Sequence, residues 1–135
     1  MNSILLALLL GATPYTEREV VALTLLGEAR GEGAVGMWAV GCVIRTRAKE
    51  KGVSLKRACL IPKHFSCWND GLISRKLLKS KEGRLAWAMA GRLVRGHGED
   101  ITNRANHYCR FDCFPLWADP ARVVFKYGAH VFYRL

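Results

Sequence analysis

Acidic side chains are scarce in this chain. Eleven Asp and Glu stand against 21 Lys and Arg in 135 residues, a formal net charge of +10. Such a surface draws in polyanions: nucleic acid, anionic lipid or acidic wall polymer. The basic residues are scattered, and the densest stretch, Arg75 to Lys81, holds four. Scatter favours peripheral attraction to an anionic envelope over a dedicated nucleic-acid face. No segment repeats at a fixed period, which excludes solenoids and propellers. No CxxC occurs, so the common zinc-finger and thioredoxin-like spacings are absent. The apolar run Ile4 to Leu10 is too short to span a bilayer, and no Lys or Arg precedes it as in a typical signal peptide. Two readings of it stay open, a weak export signal or a segment packed on the domain. No linker divides the chain. Residues 1–15 are read as an apolar N-terminal segment and 16–135 as one domain.

What is present is ordinary globular material, with 50% hydrophobic and 24% charged residues. A chain of this length needs neither metal nor disulfide to fold. The cysteines, Cys42, Cys59, Cys67, Cys109 and Cys113, are odd in number. Cys109, Cys113 and His107 could ligate a metal, though small buried thiols are the plainer reading. A Cys59–Cys67 bridge is open to a protein outside a reducing cytoplasm.

Three helices are expected. Thr16 and Glu19 form a capping box that starts the first, from about Glu17 to Arg30. Gly31 and Gly33 stop it, where positive φ costs little. The second runs from about Ala34 to Lys49 with Val35, Trp38, Ala39, Cys42 and Val43 on one face, and Gly52 ends it. The third covers about Lys81 to Arg95 with Leu85, Ala88, Met89 and Leu93 inward. Residues 53 to 81 show a weaker pattern, broken by Pro62 and Asn69-Asp70-Gly71. Two late runs, Ala105 to Arg110 and His130 to Tyr133, look like strands. The fold class is α+β, mostly α, with a short C-terminal β element.

With so few carboxylates, each can be weighed. Glu17 and Glu19 suit a first helical turn, Glu50 and Glu82 lie in basic stretches, and Asp70 sits in a turn. Glu28 differs. It ends an apolar helix and is flanked by Gly27, Ala29, Gly31 and Gly33, which leave room for a reactant to approach. Apolar walls are the setting in which a carboxyl keeps its proton, as a general acid must. A salt bridge to Arg30 or another cation is an equal alternative from pattern alone. Glu32 is the obvious second carboxylate, yet the glycines between break any shared helical face.

In this setting the chain resembles the SleB/CwlJ-type cell wall hydrolases. Gly27-Glu28-Ala29-Arg30-Gly31-Glu32 is similar to the family's GEARGE segment. Gly36, Ala39-Val40 and Val43 to Arg47 resemble its second helix, with Thr46-Arg47 where Asn-Arg is usual. Phe65-Ser66-Cys67-Trp68-Asn69-Asp70 is similar to an FSCWND segment. Ala105-Asn106-His107-Tyr108 resembles A-T-H-Y. Trp117 and Gly128-x-His130-x-Phe132-Tyr133 look like the family's C-terminal end. Thr46, Arg104 and Asn106 depart from its pattern.

The resemblance implies a lysozyme-like, lytic transglycosylase-like domain that cleaves the MurNAc-GlcNAc strand of peptidoglycan with one catalytic Glu, matched here by Glu28. It implies no cofactor and no metal. Glu32, Trp68, Asn106, His107, Tyr108, Trp117 and His130 are the substrate-binding candidates, because aromatics stack on sugars and His or Asn hydrogen-bond them; core packing is the equal alternative for Trp68, Tyr108 and Trp117, a structural role for His107 and His130, and a loop cap for Glu32. Phe65 and Trp38 read as core. The expected partner is bacterial peptidoglycan, with no nucleic acid, and the expected state is a monomer. The place of action is the cell wall, reached by export or by phage-encoded release. The alternatives are an amidase or peptidase on the same polymer, or a non-catalytic basic binding module.

Overall fold

The structure is a computed structural model and describes residues 13–135. The Ile4 to Leu10 segment lies outside the described residues. Helix α1, Glu17–Ala29, starts at the expected capping box: Thr16 Oγ1 accepts from the Glu19 amide at 3.1 Å and Glu19 Oε1 accepts from the Thr16 amide at 2.8 Å. Val20 through Leu26 are all buried. A helix that is apolar all round sits inside a fold, and α1 is the central rod of this one.

A 3-10 turn, Arg30–Glu32, connects α1 to α2, Gly33–Lys51. Gly33 takes the positive φ anticipated for the break, and Gly52 closes α2 in the left-handed region. A six-residue helix, α3, Leu55–Leu60, follows and is capped by Ser54. Helix α4, Lys81–Val94, begins at Ser80, whose Oγ accepts from the Gly83 amide at 3.0 Å. The inward face of α4 is Ala86, Ala90 and Leu93, whereas Leu85 and Ala88, expected inward, are exposed. Alanines on the buried face let α4 lie close to α1, so the larger Leu85 is turned out. On α2, Val35 is likewise exposed and Trp38 half-buried.

The sheet has three antiparallel strands in the order β1-β3-β2: β1 His107–Arg110, β2 Val123–Tyr127 and β3 His130–Tyr133. Strand β2 adds to the two expected strands. Its register slips between Val123 and Phe125 against β3. The sheet packs on α2 through a second, smaller core of Ala39, Val43, Ala105 and Phe132. Tyr108 touches both cores and marks the seam between them. Among the described residues no helix is long and apolar enough to cross a membrane. All five cysteines are free thiols, including Cys59 and Cys67.

Candidate active site

Glu28 comes to the seam because it occupies the last turn of the rigid central helix. Tyr108 reaches it from β1, eighty residues away, and its hydroxyl donates to Glu28 Oε1 at 2.5 Å. Burial first, and then the charge of Glu28, push the Tyr108 hydroxyl well above its usual range. It therefore stays protonated and remains a fixed donor. The alternative pairing of Glu28 with Arg30 is not formed. Cys67 closes another side. A Cβ placed on Gly27 would lie 2.5 Å from the Cys67 Cβ, so only glycine lets the 65–68 segment approach this closely. Burial and the Glu28 charge together raise the Cys67 thiol well above the usual range.

Tyr108 is itself held by rings. His130 meets it edge-on at 5.3 Å between centroids, Phe132 lies at 5.5 Å and Phe65 at 6.5 Å. His130 thus stands behind the tyrosine. The His130 Nδ1 atom is buried without a hydrogen-bond partner among the described residues. On the other face of β1, His107 packs on Trp117 at 4.9 Å, and Trp117 packs on Tyr133 at 5.3 Å. His107 and Trp117 remain half-buried at the edge of a groove.

That groove has a volume of about 570 Å³, within the range of ligand sites. Helix α2 lines it with Arg47, Glu50 and Lys51, and the 61–65 turn adds Lys63 and His64. Asn106, His107, Tyr108 and Trp117 complete it. Tyr108 is the link, with the groove on one side of it and Glu28 bonded to its hydroxyl. Arg47 forms the floor. Its Nε donates to the Asn106 carbonyl at 2.7 Å, its Nη1 to the His64 carbonyl at 3.2 Å, and its guanidinium lies 4.9 Å from the Phe65 ring centroid. Burial pulls its proton affinity below the usual arginine range, with Tyr108 and Glu28 opposing.

Three of the expected binding residues are engaged elsewhere. Trp68 is buried, and its Nε1 donates to Thr24 Oγ1 at 2.8 Å, so it is a core residue and offers no face to a sugar. Glu32 accepts from the Ala129 amide with both oxygens, at 3.1 and 3.3 Å, and ties the α1–α2 turn to the β2–β3 hairpin. Gly128 makes that tie possible: it has φ +55, and a Cβ there would fall 1.6 Å from Glu32 Oε2. Asn106 is also buried. Its Nδ2 donates to the Leu135 carbonyl at 3.0 Å and its Oδ1 accepts from the Leu135 amide at 3.0 Å, which fastens the chain's end to β1.

Cys109, Cys113 and His107 do not converge. Cys109 Sγ contacts the Cys113 carbonyl, and His107 Nδ1 faces Asn106 Oδ1 at 2.9 Å. Among the described residues no group of three His, Cys, Asp or Glu gathers to hold a metal ion. Arg47, Lys51, Lys63 and His64 were not singled out as site residues from sequence. Arg47 was visible only as part of the second-helix resemblance.

Comparison with known proteins bears on the fold and the family. The chain superposes on the catalytic domain of the germination-specific lytic transglycosylase SleB from Bacillus anthracis with a TM-score of 0.68. That match has 23% identity and covers 90% of this chain and 98% of the other. The catalytic domain of the Bacillus cereus SleB protein gives 0.67 at 24% identity, over 90% and 94%. These likenesses establish the lysozyme-like, mostly helical fold. No curated protein matches the chain. A family model described as cell wall hydrolase matches residues 31–133, three-quarters of the sequence, beginning just past Glu28. The chain belongs to the cell wall hydrolase family.

Proposed function

We propose that the protein is a peptidoglycan glycosidase that cuts the MurNAc-GlcNAc strand as a lytic transglycosylase, with Glu28 as its one catalytic carboxyl. The observation that carries this reading is the pairing of Glu28 with Tyr108 while Glu32 is tied to the Ala129 amide. A hydrolytic glycosidase generally places a second carboxylate across the sugar to activate water or form a covalent intermediate. Here the second acidic residue of the segment holds a hairpin instead. A single carboxyl is enough if the nucleophile belongs to the substrate.

The steps balance without water. Protonated Glu28 gives its proton to the glycosidic oxygen as the C1–O bond of the muramoyl residue breaks. The 6-hydroxyl of the same muramoyl residue then attacks C1, and its proton returns to Glu28. The products are a free 4-hydroxyl on one sugar and a 1,6-anhydro ring on the other. Tyr108 supports both halves. Because its hydroxyl donates to Oε1, it orients the carboxyl and leaves Oε2 to carry the transferred proton. It also stabilises the carboxylate between the two transfers.

The similar structures support the reading, since one of them is the catalytic domain of a lytic transglycosylase. The family places the action on the cell wall, outside the cytoplasm. The net charge of +10 suits an anionic wall. The test is digestion of purified peptidoglycan by wild type, Glu28→Gln and Glu32→Gln. Glu28→Gln is expected to lose about 10²- to 10⁴-fold in rate, the usual contribution of a general acid. Glu32→Gln is expected to keep the larger part of the rate. Equal rates in wild type and Glu28→Gln would overturn the proposal.

A further inference from the structure

The groove beside Tyr108 is more cationic than a sugar strand requires. N-acetylated sugars are neutral, and the lactyl carboxyl of the muramoyl residue is capped by its peptide, so the charges of peptidoglycan sit on the peptide stems. Yet Arg47, Lys51 and Lys63 all line this groove. Its one carboxylate, Glu50, is already paired with Arg134 and lies near the Asn106 amide. Lys51 and Lys63 form no ion pair among the described residues. Arg47 bonds only to backbone carbonyls, so its half-buried charge has no ion-paired carboxylate.

Two further features converge there. Lys63 has φ +67, at the third position of the turn closed by the His64 amide on the Ile61 carbonyl. Glycine is the residue favoured at that position, so a lysine there holds a strained backbone. Next to it, His64 has a ring nitrogen, Nδ1, buried without a hydrogen-bond partner among the described residues. Resting on the glycosidase reading, we infer that this groove is an anion subsite that receives carboxylates of the peptide stem, and so selects strands that still carry stems.

Such a subsite would couple to protons. Burial, Arg47 and Lys51 hold His64 and His107 below the usual histidine range, with Glu50 opposing at His107. Lys63, Tyr108 and Arg134 are the other titratable groups around the groove. A bound carboxylate favours both imidazolium forms, so binding is expected to tighten as pH falls from about 7.5 to about 5.5.

The experiment measures binding by Glu28→Gln protein of soluble glycan fragments that carry peptide stems, and of the same fragments after an amidase has removed the stems and the freed lactyl carboxyls have been converted to amides. The parent is expected to bind stem-bearing fragments at least about tenfold more tightly, the worth of one charge-assisted bond. Adding Lys51→Gln and Lys63→Gln should abolish the preference, and Lys51→Arg with Lys63→Arg should retain most of it. Equal binding of both fragments by the parent, or a preference that survives the double Gln change, overturns the inference. Polyglycerol phosphate is added as a competitor. If it displaces stem-bearing fragments better than free stem peptide does, the site belongs to a phosphodiester polymer and the carboxylate assignment falls. Cleavage of stem-bearing strands by wild type is scored in parallel and decides the glycosidase reading by itself.

Discussion

The helical body and the C-terminal sheet are built differently. Around α1 the core is continuous, and seven successive residues of that helix are buried. The sheet rests on a core of four buried side chains and on polar ties: Glu32 to Ala129, Asn106 to Leu135, and Arg134 to Glu50. The body supplies the acid and the sheet supplies the tyrosine that orients it. Division of this kind lets the carboxyl be fixed by packing while its partner is set by hydrogen bonds. Damage to the body should therefore appear first as lost stability, and damage to the sheet first as lost activity.

The sharpest contrast comes from Leu23→Ala in α1. It removes a fully buried side chain and should cost about 2–5 kcal/mol, read as a lower unfolding temperature of the whole domain. Next in size is Tyr108→Phe at the seam. Losing a bond to a charged group is worth about 1.5–3 kcal/mol, so kcat should fall about ten- to a hundredfold. Thermal unfolding should move less than in Leu23→Ala. If Tyr108→Phe unfolds the domain as Leu23→Ala does, the division between body and sheet is wrong.

Glu32→Ala should be milder. It frees the Ala129 amide at the hairpin, for a loss of about 1 kcal/mol. Faster hydrogen exchange at residues 127–131 should accompany it, without a comparable change in α1. The smallest effect is expected from pH at Asp100. Burial alone would raise this carboxyl, but the Thr102 amide and hydroxyl and the Arg104 amide, at 2.7–2.8 Å, hold it below the usual range. A depressed carboxyl stabilises the fold above its unfolded value, about 3.9, and loses that contribution as pH falls through the folded value. The stability gap between wild type and Asp100→Asn should shrink as pH falls from about 5 to about 2.

The body was also the more legible part of the sequence. Caps and glycines announced three helices, because such signals act within four residues. Helix α3 escaped notice because six residues are too few for periodicity to register. The inward face of α4 was misjudged for a physical reason: close packing on α1 favours Ala86 and Ala90 over Leu85. At the site, the apolar, glycine-flanked setting brought out Glu28 and the family resemblance brought out Tyr108, and their hydrogen bond then gave them a joint setting. Trp68 stayed open between groove and core because the Thr24 hydroxyl that satisfies its N–H lies 44 residues away. The Arg47, Lys63 and His64 groove was hidden for the same reason, since folding alone joins a helix, a turn and a strand. Strand β2, between Pro120 and Gly128, carries three half-buried residues and no strict alternation.

The proposed catalysis turns on a single carboxyl acting with the substrate's own hydroxyl and without water. Peptidoglycan should therefore be digested by the wild-type protein in water enriched in oxygen-18, and the soluble fragments weighed. The expected products are 1,6-anhydro-muramoyl ends, lighter than the hydrolysis product by one water and free of the heavy isotope. Reducing ends that carry oxygen-18 would contradict the proposal, and would mean that a water is activated beside Glu28 by a group not identified above.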